Sequence, residues 1–139
     1  MCTIRILSWN VNGLRAIHKK GFLEWLQRNG PDILCVQETK SSEDQIPSQV
    51  KDAPGYHTYF SSGHKKGYAG VGLFTRKKPL YVKSSLEIDS LDDESRSIVA
   101  DYGSFILFNV YFPNGKASKE QIGSASCRER VEISVVAVS

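Results

Sequence analysis

A chain of 139 residues, 40% hydrophobic and 24% charged with a net charge of +3, has room for one domain with a core or for part of a larger one. No apolar run approaches the ~18 residues of a membrane span, so a globular protein with no membrane partner is expected. Cys2, Cys35 and Cys127 are odd in number and far apart, and no pair among His18, His57 and His64 has metal-ligand spacing, which argues against a disulfide framework and a zinc site. The start "MCTIRILSW" lacks the charged opening and small-residue cleavage site of an export signal, so the expected compartment is the cytoplasm.

In chain order, residues 3–9 read as an apolar strand. Leu14, Ile17, Phe22, Trp25 and Leu26 then recur near helical spacing, predicting an amphipathic helix from Leu14 to Arg28 that Gly21 weakens and "NGP" ends. A second apolar strand, "DILCVQ", holds Cys35, and a polar segment with Pro47 and Pro54 follows. Beyond it the chain reads as β: "YHTYFS", "YAGVGLFTRK", "LYVKSSLEI", "SRSIVADY" and "FILFNVYF". "SSGHKKG" and "DDES" are turn signals, and "DYGSF" predicts a tight hairpin. His18 falls in the helix, His57 and His64 in loop-like stretches. This β-α-β start followed by a run of strands predicts a mixed sheet in a layered α/β fold. The basic clusters "HKK", "HKKGY" and "RKK" would suit a polyanionic partner, although such clusters are usually solvated faces.

The stretch "SWNVNGL" raises the functional question. Strand periodicity puts Asn10 and Asn12 on one face at the end of the first strand, just before Gly13. Asparagine before glycine is ordinary turn chemistry. The second strand, however, ends at Gln37 and Glu38, and parallel strands of a β-α-β unit bring their carboxyl ends to the rim where ligands bind. Two amides and a carboxylate there would make a hard-oxygen site of the kind Mg²⁺ takes. Tyr111, Asn114 and Gly115 follow another apolar strand and could add a hydroxyl and an amide.

"SWNVNGLRA", "PDILCVQETK", "GYAGVGLFTRK", "SRSIVADY" and "NVYFPNG" stand in the order and approximate spacing of the exonuclease III family of apurinic/apyrimidinic endonucleases, within the endonuclease/exonuclease/phosphatase superfamily. The resemblance runs from residue 3 to about residue 118. "NGLRA" with "QETK" points to the DNA-repair branch rather than to relatives acting on phospholipid or RNA. The resemblance implies a DNase I-like layered sandwich of mixed sheets, of which residues 1–120 hold the amino-terminal half. It also implies a phosphodiester hydrolase using Mg²⁺, with Mn²⁺ as the alternative, on double-stranded DNA with abasic sites or 3′ ends, and a monomer when full length.

By the same resemblance, Glu38 is the direct metal ligand and Asn12 assists the metal through water. Asn10 orients catalytic groups, Tyr111 stands at the scissile phosphate, and Asn114 is a nearby amide donor. Arg15, Lys40, Tyr68 and Arg96 lie on the DNA-facing rim. The family's later motifs, a "GDxN" strand and a terminal "SDH", would supply the base, a second carboxylate and a histidine, and neither occurs in these 139 residues. The chain is therefore expected to be inactive by itself, at most binding nucleic acid weakly, and half a sandwich would leave a sheet face uncovered. After Glu120 the pattern stops: "IGSASCRERV" resembles a reading frame of a common sequencing-library adapter, so residues 121–139 are expected to be non-native, although "VEISVVAV" has strand composition.

Overall fold

The computed structural model describes residues 4–61, 70–84, 97–112 and, as backbone, 131–138. Strand β1 (Ile6–Asn10) leads into two helices, α1 (Leu14–Lys19) and α2 (Phe22–Asn29). The single helix expected from residue 14 to 28 is thus broken at Lys20–Gly21, where Gly21 adopts a left-handed φ of 97°. A second left-handed glycine, Gly30, closes α2 by donating its N–H to the Leu26 carbonyl at 2.9 Å. Strand β2 (Ile33–Gln37) follows. The polar segment then forms a short 3₁₀ turn (Glu43–Gln45) and a single helical turn, α3 (Ser48–Lys51).

The remaining strands are β3 (His57–Ser61), β4 (Val71–Thr75), β5 (Tyr81–Lys83), β6 (Ser97–Asp101), β7 (Phe105–Phe112) and β8 (Val131–Val138). His57, expected in a loop, is the exposed first residue of β3. The hairpin at "DYGSF" forms between β6 and β7. Gly103 takes the positive φ of the turn, and its N–H donates to Asp101 Oδ1 at 2.8 Å.

The strands make two four-stranded sheets, ordered β1-β2-β4-β3 and β5-β6-β7-β8. β1 and β2 are parallel, as the β-α-β pattern requires, and the other pairs of the first sheet are antiparallel. Two cores follow from strand alternation. Ile33 and Cys35 of β2 and Val71 and Leu73 of β4 face the second sheet, meeting Ile98, Ala100, Leu107 and Tyr111. Leu34, Val36 and Phe74 face the other way, onto Leu14, Phe22 and Leu26 of the helices. β2 is buried on both faces, which explains its unbroken apolar run. The first sheet therefore already has both faces covered.

β7 is not an edge strand, because β8 pairs with it in parallel from Phe105↔Val131 to Phe112↔Val138. The strand-forming composition of "VEISVVAV" decides its backbone. A valine-rich segment is a ready partner for an open sheet edge whatever its origin.

The inter-sheet core carries two weak acids. Burial pushes the Cys35 thiol up to about 12, and burial likewise raises the Tyr102 phenol to about 12, against a lowering hydrogen bond to Thr75. Both groups are held neutral in the fold and ionise more readily once unfolded. Their contribution is complete below the unfolded values and is lost as pH rises toward the folded ones. We expect stability to decline from about pH 9 upward, on the order of 1.4 kcal/mol per pH unit for each group over its window. Urea midpoints at pH 8 and pH 11 check this; equal midpoints would contradict it.

Candidate active site

The carboxyl ends of β1, β2 and β7 meet at one rim of the sandwich. There Tyr111 Oη donates to Glu38 Oε1 at 2.5 Å, joining side chains 73 residues apart from opposite sheets. Tyr111 is 3% exposed and Glu38 half-buried, so the contact sits where solvent screens it little.

Both loops at this rim are laced by their backbones. Val11 N donates to the Gln37 carbonyl (3.1 Å), Gly13 N to that of Glu38 (2.7 Å), and Leu14 N to that of Thr39 (2.9 Å). Thr39 N in turn donates to the Gly70 carbonyl at 3.1 Å. Asn12, Glu38 and Lys40 have φ of 50°, 54° and 50°, and among the described residues no other non-glycine is recorded with positive φ. Asparagine tolerates this region; glutamate and lysine do so at a cost of roughly 1–3 kcal/mol each. Such strain persists only where the surroundings impose it, and here it is confined to one rim.

The sequence-derived site residues divide into four groups. Glu38 and Tyr111 are in direct contact. Asn10 and Asn12 lie beside them, but their chemistry is local: Asn10 Oδ1 accepts from the Asn12 backbone N–H at 3.1 Å, a turn bond, and both side chains are exposed. Asn12 leaves strand geometry, so the two amides are related by a turn and not by the strand period that predicted a shared face. Lys40 Nζ donates to Asn12 Oδ1 at 2.6 Å, and Arg15 Nε to Ser41 Oγ at 3.1 Å. Both cations therefore border an open cleft of about 680 Å³ that Lys19 and Lys20 also line. Asn114, Tyr68 and Arg96 lie outside the described residues.

Two residues to which sequence reasoning gave no role in the site sit just beneath this rim. Gln37 Nε2 donates to Asn109 Oδ1 (3.0 Å) and Ser8 Oγ (3.1 Å), and Asn109 Nδ2 donates to the Gly72 carbonyl (2.8 Å). Both amides are 0% exposed, and Gln37 Oε1 has no partner. An unsatisfied buried acceptor costs about 1–3 kcal/mol. The available signal was one polar residue inside each apolar run, "LCVQ" and "ILFNVY".

The donor set at the rim is one carboxylate, two carbonyl-bearing amides and one hydroxyl, all hard oxygen. Mg²⁺ is held by one or two carboxylates with waters and substrate phosphate, so Glu38 fits as an anchor. Among the described residues no group of three or more His, Cys, Asp or Glu could hold a metal by itself. The Lys40 ammonium on Asn12 makes that amide a poor direct ligand, whereas Glu38 keeps a second oxygen beyond the one Tyr111 engages.

The sequence profile of the Endonuclease/Exonuclease/phosphatase family matches residues 7–133. An exodeoxyribonuclease of Bacillus subtilis (strain 168) is 38% identical over 120 residues, covering 86% of this chain and 46% of its own length. An AP endonuclease from Archaeoglobus fulgidus superposes with a TM-score of 0.70 at 34% identity, over 86% of this chain and 46% of that one. The 3′ phosphatase NExo from Neisseria, solved with a product DNA hairpin, gives 0.71 at 32% identity, over 86% and 46%. The chain thus spans a little under half the length of each of these relatives. With the profile matched over residues 7–133, most of its length, the chain belongs to the Endonuclease/Exonuclease/phosphatase family.

Proposed function

We propose that this chain carries the metal-holding part of the site of a DNA-repair nuclease, an exodeoxyribonuclease III or abasic-site endonuclease acting on double-stranded DNA. One observation supports it above the others: the Tyr111 hydroxyl on the Glu38 carboxylate, made across the two sheets at the strained rim. In this reading Glu38 holds Mg²⁺ (Mn²⁺ the alternative), which would neutralise charge on the phosphoryl oxygens and the leaving 3′ oxygen. Tyr111 steadies the carboxylate and stands ready at the phosphate. Asn10 fixes the turn that presents Asn12, and Asn12 acts one shell out. Arg15 and Lys40, with Tyr68 and Arg96, follow the DNA backbone, and Asn114 adds an amide donor at the phosphate. Residues 121–139 are proposed to be non-native.

The carboxylate beside Tyr111 is Glu38, which this reading gives to the metal, and the "GDxN" and "SDH" motifs expected to supply the base do not occur in the sequence. This favours a second statement about the chain as it stands: alone it binds nucleic acid weakly and does not cleave it. Removing one member of a cooperating catalytic set can forfeit nearly all the acceleration.

The test uses a duplex with a single abasic site. A chain extended to the length of its relatives should incise it with Mg²⁺ and stop with EDTA, while the 139-residue chain stays at the buffer rate. Turnover of a phosphoinositide in place of abasic DNA would overturn the DNA assignment. In the extended chain, Asn12→Ala should cost about 10–100-fold, as outer-shell changes do, and Asn12→Asp should be tolerated. Loss of all activity in Asn12→Asp would place Asn12 against the phosphate instead.

A further inference from the structure

We propose that Gln37 and Asn109 are positioning residues: their buried amide pair fixes the end of β2 against the end of β7 and so holds Glu38 on Tyr111. The proposal rests on the site reading above and adds to it two side chains that lie wholly inside the core.

The two sheets are pressed together mostly by apolar contacts, which have no preferred direction and resist sliding weakly. A rim contact between side chains of opposite sheets needs a directional tie close by. Gln37 is one residue before Glu38, and Asn109 two residues before Tyr111. Their 3.0 Å bond is thus a polar link close to the rim contact on both strands. The link is braced on either side. Gln37 also donates to Ser8 of β1, and Asn109 to the carbonyls of Gly72 in β4 (2.8 Å) and Val36 in β2 (3.4 Å). Four strands are tied by two side chains. Another inter-sheet bond, Tyr102 Oη to Thr75 Oγ1 at 2.9 Å, lies at the opposite end of the sandwich, since Thr75 pairs with Ile33 while Val71 pairs with Gln37.

Packing alone does not explain the amides. A leucine or methionine at residue 37 would fill the same space without leaving Gln37 Oε1 unpartnered. The polar pair sits where placement matters.

The test compares the 139-residue chain with Gln37→Met and with Gln37→Met/Asn109→Leu. Removing both amides together avoids stranding one of them. Three quantities are read: the melting temperature, the ¹³Cζ resonance of Tyr111 (assigned by its loss in Tyr111→Phe), and the dissociation constant for Mn²⁺. The expected result is a melt within a few degrees of the parent. The Tyr111 resonance moves to the position of a tyrosine without a carboxylate partner, and Mn²⁺ binding weakens roughly 10–100-fold, the size of an outer-shell effect. A folded variant with the parent's Tyr111 resonance and Mn²⁺ affinity overturns the proposal and leaves the pair a purely structural tie. Should the double variant not fold, Gln37→Met decides by the same readouts. A parent chain that binds no Mn²⁺ refutes the metal reading, and the Tyr111 resonance then decides the positioning role.

Discussion

Replacing Glu38 with glutamine, in a chain extended to the length of its relatives, should lower Mg²⁺-dependent incision of abasic-site DNA by about three orders of magnitude. That exceeds the ~10–100-fold of outer-shell changes and matches the upper range for losing one group that stabilises transition-state charge. The substitution is nearly isosteric. Glutamine can still accept from Tyr111 Oη, and the backbone bond from Gly13 N to the residue-38 carbonyl does not involve the side chain. Stability should therefore change by only about 1 kcal/mol, the difference between a charge-assisted and a neutral hydrogen bond. What is removed is the negative charge that makes a divalent cation favourable at the rim, so partial recovery at high Mg²⁺ is expected. Kinetics within tenfold of the parent would place the metal elsewhere. A collapse of folding with the activity would leave the residue structural.

The second large effect is on the fold itself. Phe74 is 0% exposed and packs between Phe22 of α2, at a ring-centroid distance of 5.3 Å, and Phe60 of β3, edge-on at 5.7 Å. With Trp9 of β1, it is an aromatic on which α2 rests against the first sheet. Phe74→Ala removes buried area and opens a cavity that neighbouring rings cannot fill, because Phe60 is already closed down on Gly72. A Cβ built at Gly72 would lie 2.9 Å from that ring. The loss should be about 3–5 kcal/mol, a large share of the ~5–15 kcal/mol that holds a domain together. Urea unfolding measures it, with Leu80→Ala as the control. Leu80 is 77% exposed, and its truncation should change stability by less than about 0.5 kcal/mol. Equal effects at the two positions would mean that the helical layer is not packed as described.

Much of this was written in the sequence because local rules and the fold agree. Parallel β1 and β2 follow from one helix-length connection, and that topology alone carries Asn10 and Glu38 to a common rim. The unbroken run "ILCV" was legible as a strand, and the structure adds that both of its faces are buried. Gly21 was read as a weak point and is a full break, since a left-handed residue cannot continue a helix. Other features were not legible. The side-chain relation of Asn10 to Asn12 depends on where the strand stops, and a shift of one residue changes the face. The Gln37–Asn109 link joins residues 72 apart across two sheets, and no spacing rule reaches that far. The same holds for the pairing of β8 with β7, where composition predicted the strand but not its partner.

The central claim, a divalent-cation site at the rim where Glu38 meets Tyr111, is tested most directly by titrating Mn²⁺ into the 139-residue chain with ¹³Cζ-labelled tyrosines. Paramagnetic broadening falls steeply with distance, so each ring reports its own separation from the ion. The account predicts that Tyr111 broadens first and that this early broadening disappears in Glu38→Gln. Tyr102, at the far end of the sandwich, and Tyr81, 60% exposed on β5 at the edge of the second sheet, should broaden last. Broadening of Tyr81 or Tyr102 ahead of Tyr111, or a Tyr111 signal that Mn²⁺ leaves sharp, would contradict it.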